Sequence, residues 1–257
     1  MRHALREFDQ LRKKMGHGPI ILFLDYDGTL TPIVSHPDRA IPTPLRQKAL
    51  QRMARTRSCT LFIISGRSRS DVKRKMKGVR ATVVGDHGFD IDHPPRAIRT
   101  FIARRPQLIK EVGRVSAKFD GAWVEKKPVT FSVHYRKVPT KKQSKFLREM
   151  SAHIRAWEKR FPLHVTRGKK VLEFRPDVRW NKGSVVQRIL RSHEKRSFPI
   201  YVGDDVTDED AFRIIRKSKN GIGVRVGRDP SSSAQFFLHN VAEVYTFLEK
   251  VRRLLVK

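Results

Sequence analysis

Ile20-Ile21-Leu22-Phe23-Leu24-Asp25-Tyr26-Asp27-Gly28-Thr29 is the stretch that decides the fold. Five successive apolar residues without alternation describe a strand buried on both faces of a parallel sheet, and the ligand crevice of such a sheet lies beyond the C-terminal ends of its strands. Asp25 and Asp27 stand there, where neutral turn residues would ordinarily follow. Two carboxylates converging on one point repel each other unless a cation lies between them or one keeps a proton. The stretch therefore implies a metal, a shared proton, or both. A calcium loop is excluded, because Gly28 is fourth and His36 twelfth where that loop needs Gly sixth and Glu twelfth.

Outward from this strand, 20–24, 44–54, 60–64, 71–76 and 81–84 alternate between strand and helix patterns, the signature of βαβ units. Gly85-Asp86-His87-Gly88 and Pro94-Pro95 interrupt the rhythm. Phe101, Leu108 and Val115, with Val112 and Phe119, then predict a long amphipathic helix opening a second module. Strands are expected at 122–125 and 129–135, a helix over 146–157, and a hairpin of 163–166 with 171–174 around Gly168. After Pro176 the alternation resumes with a helix at 182–191, a strand at 200–202, a helix at 208–216 and a strand at 221–226. Asn240, three residues before Glu243, caps a final helix striped by Val241, Val244, Tyr245, Leu248 and Val251. The expectation is an α/β chain: a Rossmann-like parallel-sheet core made of 1–92 and 176–257, with an inserted α+β cap over 93–175.

A chain of 257 residues with 39% hydrophobic and 32% charged residues is globular in composition, and long enough for these two modules. The single Cys59 excludes a disulfide framework and reads as a small buried thiol. The first 18 residues carry Arg2, Arg6, Arg12, Lys13 and Lys14 without a continuous apolar segment, so neither a secretory signal nor a membrane anchor is expected there. A soluble cytoplasmic protein without a membrane partner, and a monomer, is the expectation. The formal charge of +31 alone would suggest a nucleic-acid partner. Residues 94–175 hold 22 Lys and Arg against 6 Asp and Glu, making the middle segment about twice as basic per residue as the rest. Few of these charges form runs, and no zinc-finger spacing or aromatic RNA-binding signature accompanies them. Solvated helix faces account for most of the charge, and nucleic acid is the disfavoured partner.

A second acidic cluster, Gly203-Asp204-Asp205-Val206-Thr207-Asp208-Glu209-Asp210, follows its own apolar strand as Asp25 follows the first. A parallel sheet brings both to one edge, where a hard divalent cation would find carboxylate oxygens. Thr207 as N-cap, with Asp208, Glu209 and Asp210 at the helix dipole, explains part of this cluster but leaves Asp204 and Asp205 over. Ser65-Gly66-Arg67 ends another strand, where a hydroxyl and a backbone N–H can hold a phosphate oxygen, and Lys182 opens the helix that returns from the insert.

The order Asp-x-Asp-Gly-Thr, Ser-Gly-Arg, Lys, Gly-Asp-Asp resembles the haloacid dehalogenase-like (HAD) phosphohydrolases, and within them the trehalose-6-phosphate phosphatases. The resemblance spans about residues 20 to 250, and His134-Tyr135-Arg136 and Glu173-Phe174-Arg175-Pro176 also carry it. It implies that Asp25 is a nucleophile forming an aspartyl phosphate and that Asp27 is the acid and base. Mg²⁺ would be held by Asp25, the Asp27 carbonyl and Asp204, with Asp205 and Asp208 supporting. Ser65, Lys182 and Arg136 would bind phosphate, and Glu125, Lys127 and Glu173 on the cap would bind glucose hydroxyls. Pro128 after Lys127, and Asp86 before His87-Gly88, depart from what many relatives carry. The implied activity is hydrolysis of the small-molecule sugar phosphate trehalose 6-phosphate in trehalose biosynthesis. The alternatives are another sugar phosphate, such as sucrose phosphate or mannosyl phosphoglycerate, and a polyanion-binding protein on an inactive fold of this kind.

Overall fold

The computed structural model of the chain describes residues 1–16, 18–193, 197–218 and 220–256. In chain order its elements are β1 (Arg2–His3), α1 (Phe8–Met15), β2 (Ile20–Leu24), α2 (Pro44–Ala54), β3 (Cys59–Ile64), α3 (Arg69–Lys75) and β4 (Thr82–Val84). There follow α4 (Arg96–Ser116), β5 (Trp123–Lys126), β6 (Phe131–His134), α5 (Thr140–Arg160), β7 (Leu163–Gly168) and β8 (Val171–Pro176). The chain ends with α6 (Lys182–Ser192), β9 (Phe198–Gly203), α7 (Glu209–Lys217), β10 (Ile222–Val226), β11 (Phe236–Leu238) and α8 (Val241–Leu255). These form two units, Met1–Gly88 with Trp180–Lys257, and Phe89–Arg179.

The first unit is built on a seven-stranded sheet in the order β1-β11-β10-β9-β2-β3-β4, every pairing parallel. β2 is an interior strand between β9 and β3 with all five residues buried, as an unbroken apolar run requires when helices cover both faces. Register positions the site: Leu24 pairs with Val202 on one side and Ile63 on the other, so β2, β9 and β3 end level. The residues that leave these three strands, Asp25, Asp204 and Ser65, are thereby delivered to one edge.

Side-chain caps fix where several helices begin. Thr43 accepts from Arg46 N with Pro44 in the first turn, Ser68 from Asp71 N, Asn181 from Ser184 N, and Asn240 from Glu243 N as its spacing predicted. The cap at the second acidic cluster is not Thr207. Asp205 caps a 3-10 turn over Val206–Asp208, and Asp208, fully buried, stands at the start of α7 and completes a capping box by accepting from the Asp205 N–H. Glu209 and Asp210 do occupy the first turn of α7, but each also ties down a neighbour: Glu209 accepts from Ser233 N at 2.8 Å and Asp210 from Asn181 Nδ2 at 2.7 Å.

The second unit is a four-stranded antiparallel sheet, β5-β6-β8-β7, accompanied by the long helices α4 and α5. Phe131, Val133, Leu172 and Phe174 alternate onto its buried side. Phe101, Leu108 and Val112 of α4 and Phe146, Met150 and Trp157 of α5 are likewise buried, completing a core of its own. Trp123, Glu125, Ser132, His134 and Glu173 occupy the opposite register positions. Among the described residues no helix is long and apolar enough to cross a membrane. Cys59 is a buried free thiol, whose pKa burial pushes up to about 12.

Candidate active site

Asp25, the first residue beyond β2, is anchored by its N–H to Val202 O at 2.9 Å and is buried. Lys182, at the start of α6 and 3% exposed, donates to Asp25 Oδ1 and to Asp208 Oδ1, both at 2.7 Å. Asp208 also receives Tyr201 Oη at 2.6 Å, and its other oxygen takes Asp204 N and Asp205 N at 3.1 and 3.0 Å. With both oxygens occupied by donors, Asp208 is a frame that aims Lys182 and shapes the 204–205 turn. Burial drives the Asp25 pKa well above the carboxylate range, Lys182 opposing and Asp208 and Asp204 adding to the rise. Burial alone would lower the Lys182 pKa, but Asp25 and Asp208 outweigh it and keep the ammonium charged.

Asp204 receives Thr29 Oγ1 at 3.2 Å, and its pKa is pushed up to about 6, first by burial and then by Asp208. Gly28 makes this approach possible. It has a positive φ of 78°, and a Cβ there would lie 2.0 Å from Asp204 Oδ2. Asp25, Asp204 and Asp208 each offer a carboxylate oxygen within 4.8 Å of the others. This crowd of hard oxygen donors against a single ammonium fits a divalent cation such as Mg²⁺. Asp25 and Asp204 are the members with acceptor capacity to spare.

Asp27 is gripped by a residue to which the sequence reading gave no role. Arg67 donates from Nε and Nη2 to the two Asp27 oxygens, both at 2.7 Å, and from Nη1 to Asp71 at 2.9 Å. This two-point geometry is available to Arg and not to Lys. The Ser-Gly-Arg signal was visible, but its partner lies 40 positions away, and only the sheet brings the two together. Ser65 is buried at the strand end, its Oγ accepting from Arg67 N at 3.1 Å. His87 was also missed. It and Asp86 adopt positive φ of 53° and 50°, and the His87 ring packs over Gly66, where a Cβ would be 2.5 Å from Cε1.

Asp25, Asp27, Gly66, Arg67, His87, Lys182, Asp204, Asp205 and Thr207 line one cavity of about 480 Å³ whose apolar rim is Ile33, Val34 and Pro37. The remaining expected residues belong to the second unit. There Glu125 meets His134 Nε2 at 2.7 Å, Lys127 Nζ meets Glu173 at 3.5 Å, and exposed Arg136 donates to Lys169 O at 3.4 Å.

A parallel sheet whose level strand ends carry an acidic edge and a lysine, interrupted by an antiparallel insert, defines this chain as having the fold of the haloacid dehalogenase-like phosphohydrolases. A family model described as Trehalose-phosphatase matches residues 23–242. Trehalose 6-phosphate phosphatase RA3 of Zea mays is 36% identical, the match covering 96% of this chain and 74% of the relative. Probable trehalose-phosphate phosphatase J of Arabidopsis thaliana is 33% identical over 96% of this chain and 71% of its own. The solved trehalose-6-phosphate phosphatase of Aspergillus fumigatus superposes with a TM-score of 0.70 at 27% identity, covering 95% of this chain and 97% of that one. The chain belongs to the trehalose-phosphatase family of phosphoric monoester hydrolases.

Proposed function

We propose that the chain hydrolyses trehalose 6-phosphate to trehalose and inorganic phosphate through an aspartyl-phosphate intermediate. The observation that carries this reading is Asp25 in the pocket of a trehalose-phosphatase-family chain, bonded to Lys182 at 2.7 Å and joined by Asp27 and Asp204. Asp25 and Asp204, with the Asp27 carbonyl, would hold Mg²⁺, which when bound supplies the positive charge that lets phosphate oxygens approach a carboxylate.

Asp25 attacks phosphorus through a carboxylate oxygen, and the bond from phosphorus to the sugar oxygen breaks. Asp27 gives its proton to the departing sugar oxygen. A water then attacks the aspartyl phosphate, Asp27 takes its proton, and the acyl phosphate bond opens to return Asp25 and release phosphate. Lys182 faces the charge that grows on the phosphoryl oxygens, and Asp208 holds it in place. Ser65 and the Gly66 and Arg67 backbone form the turn that takes a phosphoryl oxygen. Arg67 holds both Asp27 oxygens as acceptors in the resting site, so Asp27 must turn from Arg67 and take a proton from water before it can give one to the leaving oxygen. Glu125, Lys127 and Glu173 bind sugar hydroxyls, Arg136 reaches the phosphate, and the inserted unit sets specificity and excludes competing water.

Phosphate release from trehalose 6-phosphate, measured with and without Mg²⁺ and beside sucrose phosphate, mannosyl phosphoglycerate and a simple hexose phosphate, tests the reading. Mg²⁺-dependent turnover that is fastest on trehalose 6-phosphate and is lost in Asp25→Asn is expected. Faster turnover of another substrate overturns the assigned specificity, and activity surviving in Asp25→Asn overturns the nucleophile.

A further inference from the structure

Trp123 opens β5 on the same side of the cap sheet as Glu125, and it is 48% exposed. An exposed indole on an isolated strand position would ordinarily be free to swing. This one is fixed, because its directly paired neighbour across the strands is His134, and the two rings stack at 4.2 Å with an interplanar angle of 11°. His134 is itself held through Nε2 by Glu125 at 2.7 Å. The result is an aromatic disc backed on one ring face by His134, with the Glu125 carboxylate on the same sheet face, whose other side is the packed core of the unit. Of the chain's other tryptophans, Trp157 is buried and directs its N–H to Glu111, and half-buried Trp180 directs its own to Gly88 O.

A flat apolar disc with an acceptor beside it matches the surface of a pyranose, which presents a face of C–H groups edged by hydroxyl donors. Aromatic side chains with a few placed polar groups are the ordinary lining of a small-molecule site. A phosphorylated ring is already held by charge at its phosphate. A neutral ring carries no charge, and stacking with hydroxyl hydrogen bonds is all that can hold it. We propose that Trp123 is the stacking platform for the non-phosphorylated glucose ring of the substrate, with His134 positioning the indole and Glu125 accepting from hydroxyls at its border. This rests on the trehalose 6-phosphate reading and adds to it a specificity-determining residue.

Steady-state kinetics on trehalose 6-phosphate and on glucose 6-phosphate, which lacks the second ring, separate the possibilities. Trp123→Leu keeps bulk and removes the flat face, whereas Trp123→Phe keeps a smaller one. For trehalose 6-phosphate we expect the KM of Trp123→Leu to rise about tenfold with kcat little changed, a loss of about 1.4 kcal/mol, while Trp123→Phe stays within about threefold of the parent. For glucose 6-phosphate the KM of both variants should stay within about twofold. Calorimetric titration with trehalose gives a second reading that needs no catalysis: binding weakens in Trp123→Leu and is largely retained in Trp123→Phe. An unchanged KM for trehalose 6-phosphate, or an equal change for both substrates, overturns the proposal. A parent protein that fails to turn over trehalose 6-phosphate overturns the underlying reading, a result seen before any variant is made.

Discussion

Asp204 shows how one residue's surroundings set a response that the whole enzyme displays. Its carboxyl group ordinarily loses its proton near pH 4, but in the folded, metal-free site the pKa is pushed up to about 6. A carboxylate whose folded pKa is raised binds protons more tightly folded than unfolded, so through this group metal-free stability rises as pH falls from about 6 towards about 4. A cation bound at the same oxygens opposes that proton. Saturating Mg²⁺ is therefore expected to raise the thermal midpoint more at about pH 7 than at about pH 5, the difference shrinking in Asp204→Asn. Equal shifts at both pH values would remove Asp204 from the metal site. The candidate residues Asp25, Asp27, Lys182 and Asp204 were legible because each sits at a strand end or helix start. Arg67 was named in its turn, but its function was not, since nothing local in Ser65-Gly66-Arg67 says which distant carboxylate the fork will hold.

At the scale of elements, the turn after β4 is stitched to the turn after β3. Asp86 N donates to Arg67 O at 2.8 Å and His87 N to Ser65 O at 3.0 Å. These bonds hold two successive non-glycine residues in the left-handed region, each at a cost of about 1 kcal/mol or more, and they press the His87 ring over Gly66. A side chain at Gly66 has no room, so Gly66→Ala is expected to destabilise the protein by about 1–3 kcal/mol. Adding His87→Ala removes the obstructing ring and should restore most of that loss, a coupling that a double-mutant cycle in urea reads directly. Purely additive losses would show that the two turns do not meet as described. The second acidic cluster carries a related lesson. Thr207 fits the local rules for an N-cap, yet the side-chain cap comes from Asp205 on the 3-10 turn before α7, while Asp208 stands at the start of α7 and also meets Lys182 and Tyr201.

For the whole molecule the dominant fact is 56 Lys and Arg against 25 Asp and Glu. Even with every carboxylate ion-paired, as Glu249 is with Arg52, Arg252 and Arg253, a net charge of +31 is left uncompensated. This excess repels itself across the surface. Raising ionic strength from about 0.01 to about 0.1 M shortens the screening length from about 30 to about 10 Å, and the thermal midpoint is expected to rise by several degrees. A midpoint that falls would mean that attractive surface pairs outweigh the repulsion. The sequence by itself determined the alternation of strands and helices around β2 and the acidic residues at the strand ends, because periodicity and strand termination are written in neighbouring residues. It did not reveal β1, whose two polar residues have no periodicity and become a strand only by pairing with β11. Tertiary structure alone decided the level ends of β2, β3 and β9, the grip of Arg67 on Asp27, the inward turn of Asp208 and the Trp123–His134 stack. The first two join residues far apart in the chain, the last joins residues of two paired strands, and all depend on sheet order and register, which are properties of the packed fold.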